Sequence, residues 1–360
     1  DLRGGRYCQP MDTAALHTAL TELSDQGDFA GTVSIAVGPH TAFEGAYGLA
    51  SRTWGVPARL DTRYDCASTT KLFTAVATLQ QVHAGAFDLD TSAIDYLGLE
   101  GTSISPDVTV HHLLSHTSGI GDDADEEAGE SYEALWRDRP NYAVRTTADF
   151  LPNFIHKPPN FAPGQGVRYC NVSYILLGLM IEKATGRGYR DYVAEHVFAP
   201  ADMSGAGFFA MDQVVPDVAE GVEQTDDGGW RRNIYSYPPI GSPDGGAHVR
   251  AGDLIAFHRA LGDGRLLPEH LVQAMITPHA VHSVDPDDGI AHQMGYGFEM
   301  STDPGGQMRS YWKEGINTGA SAMLRHYPRS GATVAVLSNL EDGVWEPVGL
   351  IHEAVQHLSA

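Results

Sequence analysis

A serine and a lysine stand three residues apart at the start of an apolar helical pattern, and this pair constrains the fold more than any other feature. The pair is Ser68 and Lys71, and Leu72, Val76 and Leu79 follow at helical spacing. Residues i and i+3 share a helix face, so the lysine amine can approach the serine hydroxyl. A serine needs a neighbouring base to act as a nucleophile, and a desolvated lysine can serve as one. The pattern indicates a nucleophile at a helix N-terminus; a Ser-capped helix with a solvated lysine is the alternative.

Two later segments contain residue types that would complete such a site. Tyr169 and Asn171 precede an apolar run, and Lys313 and Gly315 lie in a strand pattern nearer the C-terminal end. Each also has a structural interpretation, as a packed aromatic, a helix N-cap or a charge on an edge strand. Lysine is scarce in this chain, however, and two of its four lysines fall in the three motifs. The motifs together favour a catalytic site.

The order of the motifs, SxxK, then YxN, then a Lys-x-Gly strand, resembles that of the penicillin-recognising serine hydrolases. That superfamily includes class C beta-lactamases, DD-peptidases, D-aminopeptidases, D-amino-acid amidases and beta-lactamase-like esterases. The resemblance extends over nearly the whole chain, because segments 109–120, 161–186 and 245–254 also match parts of the family pattern. It implies a small-molecule or short-peptide substrate and no cofactor.

The resemblance also implies roles for individual residues. Ser68 would form the acyl-enzyme, while Lys71 and Tyr169 would relay its proton. The backbone N–H groups of Ser68 and Ile316 would form the oxyanion hole. The residues that would contact the substrate are Asn171, Lys313, Glu314 and Gly315.

Glu314 departs from the family pattern. Beta-lactamases and DD-carboxypeptidases usually have threonine or serine at this position, where the hydroxyl helps to bind a substrate carboxylate. Two carboxylates repel each other by about 1 to 4 kcal/mol at a few ångströms. A Glu314 side chain in the cleft would therefore disfavour penicillins and peptides with a free carboxylate. Strict strand alternation would instead turn it away from the face of Lys313, and the sequence leaves both orientations open.

Three functions fit these residues. The first is a D-amino-acid peptidase or amidase, or a carboxylesterase with the same machinery. The second is a beta-lactamase or D-alanyl-D-alanine carboxypeptidase, and the third is a non-catalytic penicillin-binding-like protein. The complete set of motif residues argues against the third. The sequence does not choose between ester and amide, because both pass through the same acyl-enzyme.

Helix and strand patterns predict an α+β fold, with an antiparallel sheet flanked by terminal helices plus a mostly helical insertion. The family resemblance implies that this fold is of the beta-lactamase-like type. Residues 1–66 and 246–360 are expected to form the sheet region and residues 67–245 the mostly helical region, with the active site in the cleft between them. The predicted strands are 32–37, 42–49, 309–315, 320–327 and 332–338, and the predicted covering helices are 11–24 and 348–358.

Composition excludes several function classes. The net charge of −23 argues against partners such as nucleic acid or anionic membrane surfaces. No apolar run approaches the roughly 20 residues that span a bilayer. We expect a soluble protein, and the sequence leaves open its oligomeric state, its compartment and export after removal of a signal peptide.

Acidic, cysteine and histidine residues suggest no further site. The acidic run at residues 122–127 predicts a solvated loop, and the alternative is that it shapes substrate entry. Cys8, Cys66 and Cys170 predict free thiols, although the last two could lie close enough for a disulfide. The histidines at residues 112 and 116 have the i, i+4 spacing of metal ligands but no evident acidic third ligand. No metal site is predicted.

Overall fold

The structure, a computed structural model, describes residues 11–355 of the chain. Its helices are α1 (Thr13–Gln26), α2 (Lys71–His83), α3 (Ala93–Leu97), α4 (Val110–Leu114), α5 (Asn171–Thr185), α6 (Tyr189–Val193), α7 (Ala251–Gly262), α8 (Glu269–Met275) and α9 (Trp345–Val355). Its strands are β1 (Gly31–Val37), β2 (His40–Tyr47), β3 (Leu49–Ser51), β4 (Val56–Pro57), β5 (Tyr64–Asp65), β6 (Val222–Gln224), β7 (Trp230–Arg232), β8 (His248–Val249), β9 (Ala280–Val284), β10 (Ala291–Met294), β11 (Glu299–Thr302), β12 (Met308–Asn317), β13 (Ala320–Tyr327) and β14 (Ala332–Ser338).

An eight-stranded antiparallel sheet forms the centre of the fold. Its strand order is β2-β1-β14-β13-β12-β11-β10-β9, so the N-terminal hairpin pairs with the last strand of the chain. The five predicted strands are present within two residues of their expected starts, and β9, β10 and β11 extend the sheet beyond them. The predicted α+β fold is confirmed.

The two faces of the sheet pack against different helices because side chains alternate along each strand. Trp312 of β12 and Met323 of β13 share an apolar cluster with Leu20 of α1 and Ile351 of α9. The neighbouring Tyr311 belongs to the larger cluster on the other face, which includes α2, α5 and α7. The terminal helices thus cover one face as predicted, although the predicted end of the last helix, residues 356–358, lies outside the described residues.

The segment between β5 and β8 lies over the second face and contains α2 to α6, short 3-10 turns, long loops and the small β6–β7 ribbon. Helix α5 is buried along most of its length and packs against α2. Within residues 11–355, no helix combines the length and apolarity needed to cross a membrane.

Candidate active site

Ser68 lies in a strained turn between β5 and α2. Residues Ala67–Thr70 form a 3-10 helix that continues directly into α2, so the predicted helix begins as a tighter turn. Ala67 has a φ of 43°, in the left-handed region that residues with a Cβ rarely adopt. Asp65 Oδ1 accepts a hydrogen bond from the Ala67 N–H at 2.7 Å. This contact helps to hold a conformation that costs on the order of 1 to 3 kcal/mol, and the turn orients the Ser68 side chain.

The buried Lys71 amine contacts three oxygen atoms. Its Nζ lies 3.0 Å from Ser68 Oγ, 2.7 Å from Asn171 Oδ1 and 2.6 Å from the Asp244 carbonyl oxygen. The amide orientation of Asn171 is supported by its Nδ2, which donates to Glu126 Oε1 at 3.3 Å. The amide and carbonyl oxygens can only accept, whereas a serine hydroxyl can also donate. A neutral amine can therefore donate to those two oxygens and accept the Ser68 proton, and an ammonium can donate to all three.

Tyr169 lies half-buried between two lysines and a histidine. Its ring stacks on His116 with centroids 4.6 Å apart, and Nζ of Lys313 and of Lys71 lie 4.5 Å and 5.0 Å from its ring centre. Burial raises the pKa of the Tyr169 phenol, and the Lys71 charge opposes that shift. The hydroxyl therefore carries its proton at neutral pH, as a group that protonates a leaving group must.

His116 supports the ring of Tyr169 and was not singled out as a functional residue by sequence reasoning. It is buried, has a φ of 57°, and its Nδ1 accepts a hydrogen bond from the Cys170 N–H at 3.1 Å. Burial lowers the pKa of the imidazole, and the charges of Lys313 and Lys71 lower it further. The ring is therefore neutral, with its proton on Nε2.

The acidic run at residues 122–127 begins inside the protein, so the prediction of a solvated loop is wrong for its first three residues, which include both Asp122 and Asp123. Asp122 and Asp123 are 4% and 1% exposed. The Asp122 carboxylate accepts hydrogen bonds from the N–H groups of Asn171 and Val172, at 2.8 Å and 3.0 Å, at the N-terminus of α5. Burial raises the pKa of Asp122 to about 7, although these two hydrogen bonds oppose the shift. Sequence patterns did not identify this long-range helix cap.

The next acidic residues hold the backbone of the YxN segment. Asp125 Oδ1 accepts a hydrogen bond from Arg168 Nη2 at 2.6 Å, and Glu127 Oε1 accepts one from the Tyr169 N–H at 2.9 Å. The loop that contains Asp125 and Glu127 therefore holds the backbone at Arg168 and Tyr169, which positions the Tyr169 side chain.

The backbones of Ser68 and Ile316 meet at the end of the cleft. A Cβ added at Gly315 would lie 2.4 Å from the Cys66 carbonyl oxygen and 2.8 Å from Ser68 N, so only glycine lets β12 approach the turn that contains Ser68 this closely. Among residues 11–355, the Ser68 N–H makes no hydrogen bond outside its own turn. Both residues line the same cavity, which is the placement that an oxyanion hole requires.

Lys313 lies buried beside the Tyr169 ring and is already paired. Its Nζ donates to Glu299 Oε1 at 2.7 Å, and the lysine side chain is 2% exposed. Glu299 lies on β11 and was missed by the sequence analysis, where no motif points to it. The pair reduces the positive charge available to a substrate carboxylate.

Glu314 faces away from the cleft, which corrects its inclusion among the substrate-binding residues. Lys313 and Gly315 flank it on β12 and point to the side of Ser68, so Glu314 points to the opposite face. Its partner across the β12–β13 ladder is Met323, which belongs to the apolar cluster beneath α1 and α9. Burial raises the pKa of Glu314, with the neighbouring Glu299 adding to the shift.

Glu314→Thr should leave selectivity between charged and neutral substrates unchanged. Because the side chain is on the other face of the sheet, the ratio of kcat/KM for a carboxylate substrate to that for its methyl ester should change by less than about twofold. A tenfold change would correspond to about 1.4 kcal/mol of differential interaction and would contradict this placement. The measurement compares the two ratios, with the melting temperature recorded for both proteins.

A cleft opens beside Ser68. Its lining includes the carboxyl-bearing residues Asp65, Glu126 and Asp244, of which Glu126 is exposed and Asp244 is 6% exposed. Burial raises the pKa of Asp244, and Lys71 opposes the shift. Apolar residues such as Phe209, Met211 and Ile240 line the same cleft, and its most accessible carboxylate is that of Glu126.

Neither the cysteines nor the paired histidines form a second site. Cys66 and Cys170 are buried free thiols, which confirms that prediction, while Cys8 lies outside the described residues. His112 Nδ1 lies 3.1 Å from Thr109 Oγ1 at the start of α4, whereas His116 faces the YxN segment. Among residues 11–355, no group of three or more His, Cys, Asp and Glu side chains is arranged to hold a metal ion.

Comparison with known proteins shows what the chain is similar to. The family model described as Beta-lactamase matches residues 16–357. Esterase EstB of Burkholderia gladioli is 34% identical over 215 residues, an alignment that covers 56% of this chain and 54% of the esterase. Penicillin-binding protein 4* of Bacillus subtilis is 26% identical over 357 residues, covering 95% of this chain and 75% of that protein. The alignment with the esterase thus spans about half of each protein.

A solved structure also matches over nearly its full length. The crystal structure of a penicillin-binding protein from Bacillus halodurans superposes with a TM-score of 0.86 and 37% identity. The match covers 94% of this chain and 99% of that protein.

Proposed function

The chain belongs to the beta-lactamase family of serine hydrolases, and on that premise we propose that it hydrolyses amide or ester bonds of aminoacyl substrates that carry a free ammonium group. D-amino-acid amides and the corresponding esters form this class. The observation that carries the proposal is the contact between Lys71 Nζ and Ser68 Oγ at 3.0 Å, inside a cleft whose accessible charged group is a carboxylate.

In the proposed mechanism, Ser68 Oγ attacks the substrate carbonyl and its proton passes to Lys71 Nζ, which accepts it when the amine is in its unprotonated form. The oxyanion that forms is bound by the N–H groups of Ser68 and Ile316. Collapse of the tetrahedral intermediate breaks the bond to the leaving amine or alcohol, which takes a proton from Tyr169. Tyr169 recovers a proton from Lys71, and water then releases the acyl group by the same steps in reverse.

The pairing of Lys313 favours amides and esters over penicillins. A carboxylate-bearing substrate would have to compete with Glu299 Oε1, which already occupies Lys313 Nζ at 2.7 Å. Such a substrate would also leave the Glu299 carboxylate unpaired next to the substrate carboxylate. The two carboxylates would repel each other in this half-buried position. Neutral esters and amides incur neither cost.

The carboxylate of Glu126 favours a substrate ammonium. It lines the cleft, is exposed, and contacts Asn171 Nδ2 at 3.3 Å, so it lies at the substrate side of the Lys71 site. An ammonium at about 4 Å gains about 1 to 4 kcal/mol from such a carboxylate, depending on how much water remains between them. Asp65 lines the same cleft and would add to the attraction at longer range.

The experimental test is a matched substrate pair. We expect a D-aminoacyl p-nitroanilide or ester to be hydrolysed with a kcat/KM at least about tenfold above that of its N-acetyl analogue, which lacks the charge. Glu126→Gln keeps the hydrogen bond to Asn171 and removes the charge, so the ratio should fall by about tenfold. Nitrocefin should be a poorer substrate than either. Steady-state kinetics of the four combinations give the ratios.

Glu100→Gln serves as the matched control, because residue 100 is exposed, lies outside the cleft and undergoes the same change of charge. Its ratio should equal that of the unmodified protein. Faster hydrolysis of the N-acetyl analogue, or nitrocefin as the best substrate, would contradict the proposed substrate class. Absence of turnover on every member of the panel would contradict the proposed hydrolytic activity itself.

A further inference from the structure

A second cavity, on the sheet face that α1 and α9 cover, is lined by three arginines. Arg309, Arg325 and Arg329 border a cavity of about 290 Å³. Trp312 also lines it and is 6% exposed. Because Trp312 and Lys313 are consecutive on β12, their side chains point to opposite faces, and the cavity is separate from the catalytic cleft.

The positive charge at this cavity has little compensation. No carboxylate of residues 11–355 lies within 4.0 Å of any of the three guanidinium groups, so none of the three arginines forms an ion pair with the described part of the chain. Asp285 is the acidic residue in the cavity lining, and Glu314 is a further charged neighbour of Arg325 on the same face. A cluster of arginines is notable in a chain with 46 acidic and 23 basic residues.

Two buried donors at the cavity make no hydrogen bond to the part of the chain that the structure describes. These donors are Trp312 Nε1 and Arg325 Nε. The Glu314 carboxylate lies close enough to the Trp312 indole N–H for this donor to oppose the rise in the pKa of Glu314, although the geometry falls short of a hydrogen bond. The buried hydroxyls of Ser301 and Ser310 also line the cavity and lie 3.4 Å apart. Unmet buried donors are costly, and an acceptor in the cavity would remove that cost.

His352 of α9 belongs to the same cluster. Its Nδ1 lies 3.0 Å from the Tyr327 hydroxyl, and both residues line the cavity. Burial lowers the pKa of His352, and the charges of Arg325 and Arg309 lower it further. The positive field of the arginines therefore reaches from the β12–β13 strands to the terminal helix.

We propose that this cavity binds a small oxyanion with more than one negative charge, through the guanidinium groups of Arg309, Arg325 and Arg329. Guanidinium forks donate paired hydrogen bonds to carboxylate and phosphate oxygens alike. The hydroxyl groups and the indole N–H nearby supply neutral donors for the remaining oxygens. Phosphate esters and polycarboxylates share this chemistry, and the experiment separates them.

The test is a calorimetric titration of the full chain with inorganic phosphate, pyrophosphate and citrate at constant ionic strength. Saturable binding of at least one of them is expected. Arg309→Gln with Arg329→Gln should raise its dissociation constant by about tenfold or more, because two charge-assisted contacts are lost. Both arginines are exposed, so the double variant should fold normally, unlike changes at Arg325, whose guanidinium lies 4.6 Å from the Trp312 ring centre.

Arg145→Gln with Arg187→Gln is the matched control, since it removes the same charge from exposed arginines elsewhere. The dissociation constant of this control variant for the same anion should equal that of the unmodified protein. Tighter binding of pyrophosphate or of citrate identifies the phosphate or the polycarboxylate class. No saturable binding, or equal weakening in both double variants, would overturn the proposal. Hydrolysis by the Arg309/Arg329 variant should be unchanged, so this result is independent of the proposed function.

Discussion

Ser68→Ala should abolish hydrolysis of every substrate and should also abolish labelling by a fluorophosphonate probe. The reason is that Ser68 Oγ is the hydroxyl in contact with Lys71 Nζ, at 3.0 Å, where the proton of a nucleophile can be accepted. Without that oxygen no acyl-enzyme can form, so the residual rate should be at background. Gel fluorescence and steady-state kinetics measure the two losses.

The alanine variant should remain folded, which makes the loss interpretable. Lys71 keeps its contacts with Asn171 Oδ1 and the Asp244 carbonyl oxygen, so removing one hydrogen bond should cost about 0.5 to 1.5 kcal/mol. Ser283→Ala, on the exposed edge strand β9, is the matched control and should keep both activity and labelling. Labelling that persists in Ser68→Ala would exclude Ser68 as the nucleophile.

The parts of the fold that the sequence predicts best have strong local patterns. Strands β13 and β14 coincide with their predicted ranges, because apolar runs are bounded there by short turns. The edge strand β9, in contrast, has no strong local pattern and is not among the predicted strands. Most of Ala280–Val284 is exposed, so its sequence shows no buried face and the strand is defined by pairing with β10. Pairing of this kind depends on tertiary context and leaves little trace in local sequence.

The residues of the candidate site also differ in how well the sequence predicts them. Residues that need special chemistry, such as Ser68 and Lys71, stand out because their spacing is short and regular. Partners such as Glu299 do not, because its contact with Lys313 depends on the register of β11 against β12. The helix cap that Asp122 provides is equally long-range, 49 residues from Asn171. An acidic run in a loop gives no indication that its first carboxylate will be buried against a helix end.

Glu314 illustrates how a local rule and a family comparison can conflict. The family resemblance placed Glu314 among the substrate-binding residues. Strict alternation along β12 instead predicts that its side chain points to the other face of the sheet. The structure follows alternation, since the residues on both sides of Glu314 face the turn that contains Ser68. Selectivity against carboxylates is therefore better sought at the Lys313–Glu299 pair.

Tyr169→Phe should lower turnover by about 10²- to 10⁴-fold, the usual scale for a general acid or base. The change removes the hydroxyl and retains the ring, which stacks on His116 at 4.6 Å and faces Lys313 Nζ at 4.5 Å. Because burial raises the pKa of this phenol, it holds its proton across the neutral range and can supply it to a leaving group. Steady-state kinetics on an amide and an activated ester measure the loss. The amide should suffer more, because its leaving amine depends on protonation, whereas a p-nitrophenolate leaves without it.

The packing of Tyr169 lets this substitution separate a catalytic role of the hydroxyl group from a structural role of the ring. The stacking and cation–π contacts depend on the ring, so the melting temperature should change little. Tyr142→Phe is the matched control, since that tyrosine is 66% exposed and lies outside the cleft. Equal losses on amide and ester would indicate that the hydroxyl acts before the leaving group departs, as part of the relay that activates Ser68. Full turnover together with a large fall in melting temperature would show that Tyr169 is a packed aromatic residue and that the proton takes another path.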